Sequence, residues 1–114
     1  MADPTTSESA EPPVTVLNTA GLVAYQPGGI VSRQILKKAT GNITLFAFDE
    51  GQELTEHTSP FEALVQAVEG EADITVGGEA HRVRGGEMIV LPARVPHAVR
   101  SLSRFKMLLT MIRS

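Results

Sequence analysis

The sequence predicts an all-β barrel, on three observations. Short apolar segments alternate with a period of two, and Gly- or Pro-bearing turns interrupt them every few residues. No apolar stripe of helical period lasts beyond two turns. Nine to eleven short strands at this spacing suit one sandwich or barrel. Closure also hides sheet edges that a small domain otherwise leaves open. At 114 residues the chain fits one domain with room for a core.

Residues 1–13 are rich in Ser, Thr, Glu and Pro and have little to bury, so they read as a flexible tail. The barrel domain is expected over 14–114, where apolar residues recur. QPGG at 26–29 is a turn, and Ile30 to Leu36 reads as a strand. Ile43 to Asp49 follows, with Ile43, Leu45 and Ala47 on one face and Thr44, Phe46 and Phe48 on the other. Glu53 to Ser59 is a third strand, broken at Pro60-Phe61 before Ala63 to Val68. Ala72 to Val76 runs into Gly77-Gly78, a hairpin signal, and Ala80 to Val83 returns. Met88 to Leu91, Ala98 to Leu102 and Phe105 to Ile112 complete the set. The last of these, FKMLLTMI, is apolar on both faces, as suits a strand covered from both sides.

Composition removes several function classes. There is no Cys, which excludes disulfides, thiolate metal sites and thiol nucleophiles. A net charge of −3 gives no reason for a nucleic-acid or anionic-membrane partner. The start lacks the basic and apolar regions of a signal peptide, and no apolar run nears the ~20 residues of a membrane helix. A cytoplasmic location is expected.

Two short motifs carry the chemistry. Gly51 is followed after five residues by His57, with Gly70 further on; later Gly86, Pro92 and His97 stand in order. In both order and spacing they resemble the cupin family, over about residues 30–112. That resemblance implies a single-domain jelly-roll barrel. In the family's first motif a second His and a Glu follow the first His; here Ser59 and Ala63 stand at those positions. In the second motif Arg94 replaces an inner Gly, and Ser101 replaces an Asn.

The family uses three His and one carboxylate to hold a divalent metal, a set that suits iron, manganese, nickel or zinc. The resemblance therefore implies a metal at His57 and His97. Glu62, shifted inward by one residue, or Gln52 from the preceding loop would complete the shell. Ser59 and Ala63 are small and should leave a roomier pocket, with Arg94 placed to clamp a substrate carboxylate. Ser101 belongs to the same substrate-binding set.

Other residues are weaker candidates. His81 lies in a hairpin and reads as a surface residue. Ser59 shares a strand face with His57, yet no nucleophile elbow or acidic orienter accompanies it. Tyr25 reads as a core tyrosine, and the methionines at 88, 107 and 111 as core. Arg82, Arg84, Arg100 and Arg104 are interspersed with acids and read as a mixed solvated surface.

The expected function is thus a small-molecule enzyme with a metal cofactor, by a dioxygenase-like route or by isomerisation or decarboxylation. The competing expectation is a metal-free binding or sensing module whose pocket holds a small polar ligand. A homodimer with exchanged N-terminal strands is expected, because the apolar outer faces need more cover than one barrel supplies.

Overall fold

The computed structural model describes residues 14–113; the tail expected over 1–13 lies outside the described residues. Among the described residues nine strands form two antiparallel sheets. They are β1 (Ile30–Lys38), β2 (Gly41–Phe48), β3 (Glu53–His57), β4 (Glu62–Glu69), β5 (Glu71–Val76), β6 (Glu79–Arg84), β7 (Met88–Leu91), β8 (His97–Ser101) and β9 (Phe105–Ile112). The order is β1-β2-β9-β4-β7 in one sheet and β3-β8-β5-β6 in the other. This is the all-β jelly roll that the alternation predicts. Among the described residues the only helical element is a 3₁₀ turn at Ala20–Leu22, and no helix is long and apolar enough to cross a membrane.

The two sheets close on an aliphatic core with two phenylalanines at its centre. Phe48 and Phe105 are fully buried, their ring centroids 5.8 Å apart. Val65, Ile74, Val83, Leu91, Val99 and Met107 pack around them from both sheets. The Gly77-Gly78 hairpin joins β5 to β6 with both glycines at positive φ, 58° and 84°, as a tight two-residue turn demands.

The alternation of β2 has a second consequence. While Phe46 and Phe48 face the core, Leu45 and Ala47 face outward and need a cover of their own. Residues 20–25 supply it: Val23 is buried there, with Leu22 and Tyr25 against Leu45, Ala47, Val31 and Leu108. The Tyr25 hydroxyl donates to Glu69 Oε2 at 2.6 Å, and Lys106 Nζ donates to the Ala20 carbonyl at 2.6 Å. Lys106 also stands 4.8 Å from the centre of the Tyr25 ring. Burial, and then the bond to Glu69, pushes the Tyr25 hydroxyl above the ordinary tyrosine range. Tyr25 is therefore a clasp on the outside of the five-stranded sheet, far from any role in a pocket.

Candidate functional site

His57 ends β3 and His97 begins β8, and the two residues are register partners across the four-stranded sheet. A bulge makes this possible. Leu54 pairs with Val99 and packs into the core, so strict alternation would send His57, three residues on, to the outer face. One extra residue in β3 between Leu54 and His57 reverses the parity and turns the ring toward His97. The His57 Nδ1 lies 2.8 Å from the carbonyl of Thr55, inside the same bulge.

The rings meet edge to face, centroids 4.3 Å apart, with Nε2 to Nε2 at 3.0 Å. Each Nδ1 faces a backbone carbonyl, Thr55 for His57 and Val95 for His97 at 3.2 Å. A carbonyl only accepts, so each Nδ1 carries the proton and each neutral ring offers an Nε2 lone pair. Two lone pairs facing each other repel, and a cation between them, a proton or a metal ion, would relieve that repulsion. Two imidazoles each about 2.0–2.1 Å from one tetrahedral ion stand about 3.3–3.4 Å apart, a few tenths of an ångström wider than the 3.0 Å between these rings.

His97 is buried and His57 exposed. Burial holds the His97 imidazole below its ordinary pKa and outweighs the Val95 carbonyl, which raises it; the nearby His57 lowers it further. The folded chain therefore holds this proton less tightly than the unfolded chain does. Its contribution to stability is complete above the unfolded value of about 6.5 and declines as pH falls below it. Urea midpoints are expected to drop between about pH 7.5 and about pH 5.5 on these grounds, and to drop less in His97→Gln.

The remaining expected ligands lie elsewhere. Glu62 occupies the outer face of β4, because Ala63, Val65 and Ala67 alternate inward without the one-residue shift that would have turned it. Gln52 sits at the opposite end of β3. Its backbone is tied to Ser101, four residues along β8 from His97, or about 13 Å of strand. Ala63 is buried against the aliphatic core beside its register partner Leu91, so the space left by a smaller side chain is packed and no roomier pocket forms there. His81 pairs with inward-facing Ile74 and is half-buried, not on the surface as its hairpin suggested; it stands two strands from His97 in the sheet. Among the described residues no three His, Asp or Glu gather where they could share an ion.

Ser101 is engaged by the protein's own backbone. It is 1% exposed, and its hydroxyl donates to the Asp49 carbonyl at 2.6 Å and accepts from the Gln52 amide at 2.9 Å. It pins the turn between β2 and β3 to the end of β8. Ser101→Ala strands those groups and is expected to cost about 1–3 kcal/mol in urea unfolding while leaving the histidine pair intact.

Ser59 and Arg94 do come together. Arg94 N donates to the Ser59 carbonyl at 2.7 Å, joining the loop after β3 to the loop before β8. With Thr58 and Pro60 they line an open cavity of about 260 Å³, two residues along the chain from His57. Arg94 has φ +65°, the left-handed conformation that a glycine would adopt without strain. Salt bridges engage Arg82, Arg84, Arg100 and Arg104 on the solvated surface, and none among the described residues engages Arg94.

Sequence reasoning missed the bulge, which has no signature in ELTEHTS, and it missed that His81 is half-buried, for which the strict pairing of β5 and β6 was the available signal.

The comparisons agree with this architecture. A family model described as a cupin domain matches residues 44–113. A conserved protein of unknown function from Streptococcus pyogenes is 35% identical, with 90% of each chain covered and a TM-score of 0.85. A cupin 2 conserved barrel domain protein from Leptotrichia buccalis is 40% identical over 85% of this chain and 47% of its own, with a TM-score of 0.83. A mutant of salicylate 1,2-dioxygenase from Pseudoaminobacter salicylatoxidans is 18% identical over 82% of this chain and 29% of its own, with a TM-score of 0.70, a likeness of fold alone. No curated protein matches the chain in sequence.

Proposed function

Since this chain belongs to the cupin family, we propose that it binds a small molecule at the barrel mouth with His57 and His97 as its central recognition element. The observation that carries the proposal is the pair of Nε2 atoms 3.0 Å apart, both held as acceptors by backbone carbonyls behind them. Two imidazoles fit a borderline divalent ion, zinc, nickel, iron or manganese, as neighbouring ligands. They bring no negative charge and fill half of a four-coordinate shell, so the ion binds weakly until donors of the bound molecule or water complete it. When bound, such an ion polarises an oxygen of that molecule, which is the chemistry a dioxygenase, isomerase or decarboxylase reaction begins from.

The chain's own residues define the rest of this reading. Val95 and Thr55 fix both tautomers and keep Nε2 free for the ligand. Arg94 and Ser59, at the neighbouring cavity, receive an anionic end such as a carboxylate. Arg94→Gly is a clean probe, since the backbone there already has glycine geometry. It should weaken carboxylate binding about tenfold or more and leave metal affinity unchanged. The reading places the protein in the cytoplasm, free of nucleic acid and membrane.

Titrating untagged protein with zinc, nickel or manganese in a calorimeter tests the proposal. One equivalent bound, and lost in both His57→Ala and His97→Ala, supports it. Absent binding, or binding that ignores both substitutions, leaves the second reading: a metal-free module in which the same pair holds a polar ligand through one shared proton. The absence of any three-residue ligand cluster among the described residues favours that second reading.

A further inference from the structure

The inner face of the four-stranded sheet carries a second polar place besides the histidine pair. In register, His57, His97, Val76 and Glu79 form one row across β3, β8, β5 and β6, and Leu54, Val99, Ile74 and His81 form the next. Val83, two residues beyond His81 in β6, is buried in the core, so alternation turns His81 and Glu79 to that same inner face. The intervening Arg82 faces outward and pairs with Asp73 at 2.7 Å.

His81 is half-buried, and neither it nor Glu79 has a hydrogen-bond or ion-pair partner among the described residues. An inward imidazole ordinarily finds a carbonyl for one nitrogen, as His57 does with Thr55 and His97 with Val95. His81 keeps both nitrogens free, one to donate and one to accept. Among the described residues no unpartnered polar side-chain atom is sealed from solvent, so these nitrogens lie open to an incoming molecule.

Between the two places the wall is apolar and unfilled. Val76 separates His97 from Glu79 in its row, and it is half-buried, as are Leu54, Phe46 and Leu109, although all of them pack toward the core. Phe48, Val65 and Phe105, deeper in the barrel, are fully buried. Register sets His81 two strands and two residues from His97, about 10 Å across and about 7 Å along, or about 12 Å between Cα atoms. The Gly77 amide donates to the Pro96 carbonyl at 2.8 Å, which ties the β5–β6 hairpin to the loop before His97 and fixes the two places relative to each other.

We infer that His81 is the second contact for the ligand held at His57 and His97. The ligand is then a small monoanion with a flat apolar body and a hydroxyl or amine at its far end. This rests on the small-molecule reading of the histidine pair. The cation that joins the pair attracts the anionic end. Val76, Leu54 and Phe46 take the body, and facing sheets about 10 Å apart leave a slot that favours a flat one. His81 exchanges a hydrogen bond with the far group, and Glu79 beside it repels a second carboxylate while admitting a neutral or cationic group.

Calorimetric titration of the full chain with benzoate and 4-hydroxybenzoate, in the presence of one equivalent of zinc, tests the inference, since the two probes differ by the far hydroxyl alone. 4-Hydroxybenzoate is expected to bind about tenfold more tightly or better. His81→Phe keeps the bulk of the ring and is expected to erase that preference with zinc affinity unchanged. His81→Gln still donates and accepts, and is expected to keep part of it. Terephthalate, with a second carboxylate, should bind at least tenfold more weakly than 4-hydroxybenzoate. In NMR spectra of the wild-type chain, 4-hydroxybenzoate should move the His81 ring signals together with those of the pair, and benzoate those of the pair alone. Equal affinity for benzoate and 4-hydroxybenzoate overturns the inference, as does a preference that survives His81→Phe or terephthalate bound as tightly as 4-hydroxybenzoate. A chain that binds zinc at the pair but neither probe overturns it too, and leaves the metal reading of the pair standing.

Discussion

Gly70→Ala is expected to be among the most damaging single substitutions in this protein, lowering stability by at least about 3 kcal/mol. Gly70 connects β4 to β5 with φ +82°, and a Cβ added there would overlap the carbonyl oxygen of Arg104 where β9 begins. The left-handed conformation alone costs roughly 1–2 kcal/mol for a residue with a side chain. The overlap adds to it, because the obstacle is backbone and cannot swing aside. Gly78 provides the comparison. Its φ of +84° is nearly the same, yet nothing lies within 4 Å of its added Cβ. Gly78→Ala should therefore show the conformational cost only, and equal losses in the two variants by urea unfolding would contradict this account of Gly70.

Phe105→Ala should cost about 3–5 kcal/mol. Phe105 is fully buried, its ring packs on Phe48, and it opens the central strand β9, where both sheets depend on it. Truncation leaves a cavity that neighbouring backbone in two sheets cannot follow inward. Chemical denaturation should show a lower midpoint with an unchanged slope. A loss under about 1 kcal/mol would mean that the core closes without this ring.

Much of this architecture is legible in the chain itself. Period-two alternation locates the strands because each sheet has one face in the core, which penalises any slip in register. The outward row of Leu45 and Ala47 is visible too, though its cover is not. Residues 20–25 are a short stretch laid across the sheet, an arrangement that depends on contacts with Leu108 and Val68 far away in sequence. The site is legible at its two anchors only. His57 and His97 stand at motif positions, but the face His57 presents is decided by one bulged residue without sequence signature. Ser101 stands at a motif position as well. Its role is hidden, because the partners of its buried hydroxyl come from the turn at 49–52. Glu62 goes where plain alternation sends it, outward, and the shift invoked for it does not occur.

The claim on which the functional account rests is that His57 and His97 act as one unit through their Nε2 atoms. Long-range proton–nitrogen NMR spectra of labelled protein, titrated with zinc, address it directly. The account predicts that one equivalent shifts the Nε2 signals of both rings at the same zinc concentration, with Nδ1 still protonated and His81 unmoved. Shifts in one ring only, at Nδ1, or first at His81 would contradict it.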